Sequence, residues 1–98
     1  MKKIIVADDE ELIRRLVSDF LVQEGYEPLL AVDGDEALSL FEHHPDTALM
    51  ILDIMMPGTD GWEVCRRVRE TSQIPIIMLS ARSTEFDQLT AFDAGADD

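Results

Sequence analysis

Lys3-Ile4-Ile5-Val6-Ala7 runs straight into Asp8-Asp9-Glu10, and a second apolar run, Ala48-Leu49-Met50-Ile51-Leu52, ends on Asp53. Each run has the length of a strand, and neither alternates polar with apolar residues, the pattern of strands covered on both faces in a parallel sheet. If two such strands are parallel neighbours, the acids that follow them share one rim. Carboxylates gathered there repel one another unless a proton or a divalent cation compensates them. The first expectation is therefore a hard-cation site built from Asp8, Asp9 and Asp53 at the end of a sheet.

The remaining sequence supplies the rest of that sheet. After the first strand, Leu12, Ile13, Leu16, Val17, Phe20 and Leu21 recur at helical spacing, and Gly25 is placed to end the helix. Pro28-Leu29-Leu30-Ala31-Val32 reads as a second strand. Asp33 with Glu36 forms a capping pair for a helix whose apolar face is Ala37, Leu38 and Phe41, and Pro45 stops it. Beyond Asp53, Pro57-Gly58 and Gly61 make a tight turn. Asp60 with Glu63 then starts a helix carrying Val64, Cys65 and Val68 inward. Ile74-Pro75-Ile76-Ile77-Met78-Leu79 is the fourth strand, and its unbroken hydrophobicity implies burial on both faces. A last helix begins near Thr84, buries Phe86, Leu89 and Phe92, and stops at Gly95.

The order βαβαβαβα, without repeats or linkers, predicts an α/β fold with right-handed crossovers and a parallel sheet. Ligands of such sheets bind beyond the carboxyl ends of the strands, where the strand order reverses. Asp8, Asp9, Asp53 and Ser80 all fall just after strands and hence on that rim.

Composition narrows the functions available. The chain has 98 residues, 46% of them hydrophobic, which suits one domain with one core. Its 21 acids against 8 bases give a net charge of −13, which repels nucleic-acid phosphates and anionic membranes and argues against direct DNA binding by these residues. Cys65 is the sole cysteine, so no internal disulfide forms, and a reducing, cytoplasmic setting is the default. Its ordinary role is a small buried side chain on a helix. No apolar run approaches the roughly 18 residues of a membrane span, and no secretory leader precedes the first strand. His43 and His44 are adjacent and cannot form a metal pair on one helix face. Trp62 opens a helix and is expected to pack.

Taken together, Val6-Ala7-Asp8-Asp9-Glu10, Leu52-Asp53-Ile54-Met55-Met56-Pro57-Gly58-Thr59-Asp60-Gly61, Pro75-Ile76-Ile77-Met78-Leu79-Ser80-Ala81-Arg82 and Gly95-Ala96-Asp97-Asp98 resemble the receiver domain of bacterial two-component response regulators. The likeness is greatest to the subfamily with a C-terminal winged-helix DNA-binding domain, and it covers residues 1–98. The resemblance implies a flavodoxin-like, doubly wound parallel sheet in the order 2-1-3-4. It also implies a signalling module rather than an enzyme. Asp53 would be the phosphoacceptor, taking a phosphoryl group from a sensor histidine kinase or a small acyl phosphate. Mg²⁺ would be held by Asp9, Asp53 and the backbone carbonyl of Met55, with Asp8 holding an ordered water. Ser80 would turn its hydroxyl toward the phosphoryl oxygens, and Ala81 would leave room for them.

One departure from that family carries its own expectation. The family continues past the equivalent of Asp98 with a fifth strand, a lysine that clamps the phosphoryl oxygen, and a final helix; this sequence stops first and reads as a truncation. Neither Lys2 nor Lys3 can replace that lysine from the start of the first strand. A sheet lacking its fifth strand leaves Ile76 to Leu79 on an open edge, for which self-association is expected. Two other readings follow. One is a binding module or engineered fragment that no longer accepts phosphate. The other is a haloacid-dehalogenase-type hydrolase, disfavoured because Met55 stands where that chemistry needs a second acid.

Overall fold

The computed structural model describes residues 1–79. Within them the elements run β1 (Lys3–Ala7), α1 (Glu11–Gln23), β2 (Glu27–Ala31), α2 (Gly34–His43), β3 (Leu49–Asp53), α3 (Gly61–Arg69) and β4 (Ile76–Leu79). The strands form one parallel sheet in the order β2-β1-β3-β4. This is the doubly wound topology that the βα alternation predicts. The order reverses between β1 and β3, so the carboxyl ends of those two strands flank the switch point.

Alternate residues of each strand point to opposite faces. Ile5, Ala7, Met50, Leu52 and Ile76 join Ala37 from α2 and Val64, Cys65 and Val68 from α3 in the larger buried cluster. Ile4, Val6 and Ile51 face the other way, against Leu21 of α1. Leu49, Ile77 and Leu79 lie on that second side and are only partly buried.

The helix ends follow local chemistry. Gly25, at φ 89°, lets its own N–H reach the Val22 carbonyl at 3.0 Å while the Tyr26 N–H reaches Leu21 at 2.9 Å, a paired closure that ends α1. The Asp33 carboxylate accepts from the Glu36 N–H at 2.8 Å and caps α2, and Glu36 in turn accepts from the Val32 N–H. Asp60 caps α3 in the same way through the Glu63 N–H at 2.9 Å.

Several boundaries differ from the sequence reading. The second and third strands lie one residue earlier and one later than expected, at Glu27–Ala31 and Leu49–Asp53. Asp53 is thus the last residue of β3 rather than the first beyond it. The fourth strand starts at Ile76, not Ile74, because Pro75 has no N–H to give a ladder. The α1 stripe also divides: Leu12, Leu16 and Phe20 are 64%, 57% and 61% exposed, whereas Leu21 is buried. Helical spacing marks a set of faces but cannot say which face a sheet covers. The expected helix from Thr84 to Gly95, with Phe86, Leu89 and Phe92, and the positions of Ser80 and Ala81 lie outside the described residues. Among the described residues, no helix is long and apolar enough to cross a membrane.

Candidate metal and phosphoacceptor site

The strand register assembles the site. Ala7 pairs with Leu52 across the β1–β3 ladder, and one step further along lie Asp8 and Asp53. Asp8, Asp9 and Asp53 each offer a carboxylate oxygen within 4.8 Å of the others. Among the described residues this is the one such grouping of potential ligands. The three acids singled out in the sequence are therefore brought together by β1 and β3.

Their environments differ. Asp8 is 5% exposed, an unusual place for a carboxylate. It accepts the Glu10 N–H at 2.8 Å, which turns the chain sharply out of β1. Burial pushes the Asp8 carboxyl above its ordinary value; the Asp9 charge adds to this, while the Glu10 hydrogen bond and Arg14 oppose it. Burial also pushes Asp53 up. The N–H of Met55 lowers it, but only across a long 3.3 Å bond, and the charges of Asp8, Asp9 and Glu10 raise it further. The folded chain thus concentrates negative charge where desolvation already disfavours it. An all-oxygen donor set under this repulsion fits a hard divalent ion of the Mg²⁺ or Ca²⁺ type and offers nothing to a soft metal.

The loop after Asp53 completes the rim. Its base is closed by the Gly61 N–H donating to Ile54 O at 3.0 Å. Gly61 is required there, since a Cβ would overlap the Asp53 carbonyl oxygen and stand 2.9 Å from Met78 Cε. Met55 leaves its side chain 58% exposed, while Met56 turns into the core. The side chain of Met55 is thus spare, and its backbone is what the loop brings to the rim. Asp9, Met55, Met56, Pro57, Asp60 and Trp62 line a recess beside the acids, with Trp62 packed against the larger cluster as expected.

Two features escaped the sequence reading. Arg14 Nη1 donates to the Asp8 backbone carbonyl at 2.8 Å and holds the first turn of α1 over the rim. Thr59 Oγ1 donates to Asp35 Oδ1 at 2.6 Å, tying the loop to α2. A basic residue one turn into α1 was a signal for the first; the second spans 24 residues and left none. Lys3 lies at the opposite rim and pairs with Asp46 at 3.0 Å, as its place at the start of β1 requires. His43, in the last turn of α2, donates from Nδ1 to Ser39 O and sits away from the acids.

Known proteins are similar to this chain in sequence and in fold. A probable transcriptional regulator ycf27 from Cyanophora paradoxa is 49% identical over 98 residues, covering 99% of this chain and 40% of that protein. Its namesake from Porphyridium aerugineum is 48% identical with the same coverage. The chain thus spans about two fifths of the length of the curated relatives it matches. Among solved structures, Vibrio cholerae chemotaxis protein CheY4 superposes with TM-score 0.88 at 34% identity, over 98% of this chain and 82% of that one. A two-component response regulator from Clostridium difficile gives TM-score 0.92 at 26% identity, over 100% and 80%. The BeF3-activated N-terminal receiver domain of Klebsiella pneumoniae RstA gives 0.90 at 27%, over 97% and 80%. The family model for the response regulator receiver domain matches residues 4–98. With its 2-1-3-4 parallel sheet and its acids at the switch point, this chain belongs to the response regulator receiver domain family of two-component signalling.

Proposed function

We propose that residues 1–98 form one receiver domain that accepts a phosphoryl group on Asp53 in a Mg²⁺-dependent reaction. The observation that carries this reading is the convergence of Asp8, Asp9 and Asp53 within 4.8 Å on the carboxyl rim of β1 and β3. Asp9, Asp53 and the Met55 carbonyl are assigned as direct ligands, and Asp8 as the acceptor for a metal-bound water. Bound there, Mg²⁺ offsets the three carboxylates and the charge that builds on a transferred phosphoryl group.

The chain's own residues do the rest. An Asp53 carboxylate oxygen attacks phosphorus as the bond from phosphorus to the donor's imidazole nitrogen or acyl oxygen breaks, and the leaving group departs with that electron pair. Asp8, fixed by the Glu10 N–H and held in place through Arg14, keeps its carboxylate turned to the rim. Ser80, outside the described residues, is assigned the hydroxyl that turns toward the phosphoryl oxygens. The donor is a sensor histidine kinase. The parent protein is a cytoplasmic transcriptional regulator that binds DNA through another domain, a reading supported by the name of the ycf27 relatives. Self-association through β4 is part of the same reading, because among the described residues β4 pairs with β3 alone.

Treatment with a small acyl phosphate and Mg²⁺, followed by peptide mass spectrometry, tests the assignment. The adduct is expected on Asp53 and to vanish in Asp53→Asn. Labelling of Asp8 or Asp9 instead, or labelling unaffected by chelation of Mg²⁺, would overturn it. Light scattering during size exclusion tests the edge: a single monomeric species across protein concentrations sinks self-association.

A further inference from the structure

The loop that carries Met55 is fastened a second time, at its far end. The Thr59 hydroxyl donates to Asp35 at 2.6 Å, and Asp35 is the second residue of α2. Next to it, Gly34 is buried so closely against the loop that a Cβ would overlap the Thr59 carbonyl oxygen and stand 2.9 Å from Val64 Cγ2. The platform beneath is firm: α2 is capped by Asp33 and anchored through Ala37, which is fully buried. The loop is thus held by Gly61 at its base and by α2 near its end. Neither Asp35 nor Thr59 belongs to the acidic cluster.

We propose that Asp35 and Thr59 are positioning residues, a latch that holds the 54–60 loop in its cation-ready shape. The inference rests on the reading of Asp8, Asp9 and Asp53 as a Mg²⁺ site. Mg²⁺ demands ligands near octahedral positions, and one of them is assigned to a backbone carbonyl of this loop. A loop free to move loses that freedom when the ion binds, and the loss weakens binding. A loop already latched to a capped helix avoids most of it. Asp35 acts through Thr59 and the loop, not on the ion.

Mg²⁺ titration of the 98-residue chain, followed by fluorescence of its single tryptophan, reads the effect, because Trp62 lines the recess with Asp9 and Met55. Thr59→Val keeps shape and charge but loses the donor; it should bind Mg²⁺ about threefold more weakly, the weight of one net hydrogen bond. Asp35→Ala should match it, and the double variant should be no worse than either single change. Asp35→Asn keeps an acceptor without the charge and should bind within about twofold of the parent. Amide exchange at residues 54–60, measured without metal, should quicken in Thr59→Val but not in Asp35→Asn. Equal Mg²⁺ affinity in Thr59→Val and the parent, or unchanged exchange, sinks the latch alone. An Asp35→Asn loss as large as that of Asp35→Ala would assign the effect to charge and overturn it as well. A parent chain with no saturable response, indistinguishable from Asp9→Asn, would instead sink the cation reading and the latch's purpose with it.

Discussion

The two faces of the sheet are built from the same strands, yet they are not equally thick. On one, α2 and α3 press Ile5, Met50, Leu52 and Ile76 to zero exposure. On the other, α1 is the sole covering helix among the described residues, and Leu49, Ile77 and Leu79 on that side stay only partly buried. The contrast separates two tasks. The thick face holds the chain together and grips the 54–60 loop through Gly34 and Asp35 of α2. The thin face carries α1, whose first turn steadies Asp8 through Arg14 while Leu12, Leu16 and Phe20 stay exposed.

The widest test of that asymmetry pairs two leucines on opposite faces, Leu52 within β3 and Leu79 at the end of β4. Leu52→Ala should cost about 4 kcal/mol, as full burial and a residual cavity imply, and Leu79→Ala only about 1 kcal/mol. Urea denaturation measures both; equal losses would erase the distinction. Against the modest stability of a domain this size, the Leu52 loss leaves a sizeable unfolded fraction.

A smaller effect probes the grip on the loop. Gly34→Ala pushes a methyl group into the Thr59 carbonyl and should cost about 2 kcal/mol by overpacking. Gly25→Ala meets no neighbour within 4 Å, so its penalty is confined to the positive φ and should be nearer 1 kcal/mol. Thermal melts of the two variants place the strain at the α2–loop contact only if Gly34→Ala is clearly the worse.

The rim above both faces behaves differently from either core. Because the folded state raises the pKa values of Asp8 and Asp53, it binds protons more readily than the unfolded chain in the window just above the ordinary carboxylate value of 3.8. By linkage, these two groups make the metal-free chain lose stability as pH rises through that window. Above it the penalty is complete, and Asp53→Asn should then stabilise the metal-free protein by about 1 kcal/mol through removal of one of the repelling charges. The same variant should lose the stabilisation that millimolar Mg²⁺ gives the parent, and in the parent that gain should fade on acidification as protons compete. Calorimetry across pH with and without Mg²⁺ checks the sign; a destabilised Asp53→Asn would remove the electrostatic account of the rim. The exposed pairs Lys3–Asp46 and Glu63–Arg66 oppose the trend weakly at most, since solvent screens them.

The smallest effect belongs to the outside of the thin face. Leu16→Gln should change stability by less than about 0.5 kcal/mol despite replacing a large apolar residue. A loss near that of a core leucine, measured in the same urea series, would mean the α1 stripe is covered after all.

Much of this was legible in the sequence, for identifiable reasons. Strands of a parallel sheet are written as uninterrupted apolar runs, so β1, β3 and β4 stood out, although in β4 only Ile76 is fully buried and the expected burial on both faces is partial; acids at the ends of β1 and β3 located the rim. Capping pairs such as Asp33 with Glu36 are local and were read correctly. The exposed side of α1 was not legible, because periodicity is identical whether or not a neighbour covers the stripe. Strand ends slipped by one residue because the ladder depends on partners far away in sequence, as with Asp53 opposite Leu79. The Thr59–Asp35 contact was invisible for the same reason: two polar residues 24 positions apart carry no local pattern. At the site, types and places were readable from the acids alone, whereas the burial that distinguishes Asp8 required the fold.

The pairing of Lys3 with Asp46 at the amino rim has a consequence for traffic toward the carboxyl rim. Both lysines of the chain sit at the start of β1, at the end of the strands opposite the clustered acids, and there Lys3 is paired with Asp46 while Arg14 stands beside the acids. In a chain of net charge −13, the resulting field draws small cations to the acid end and slows any phosphorylated donor that approaches it. Added salt screens that field over about 8 Å at physiological ionic strength, so on the proposed phosphoacceptor reading ion capture and phosphodonor encounter are tuned in opposite directions by one variable. On the proposed phosphoacceptor reading, a donor that brings positive charge to the acidic rim meets less of this repulsion.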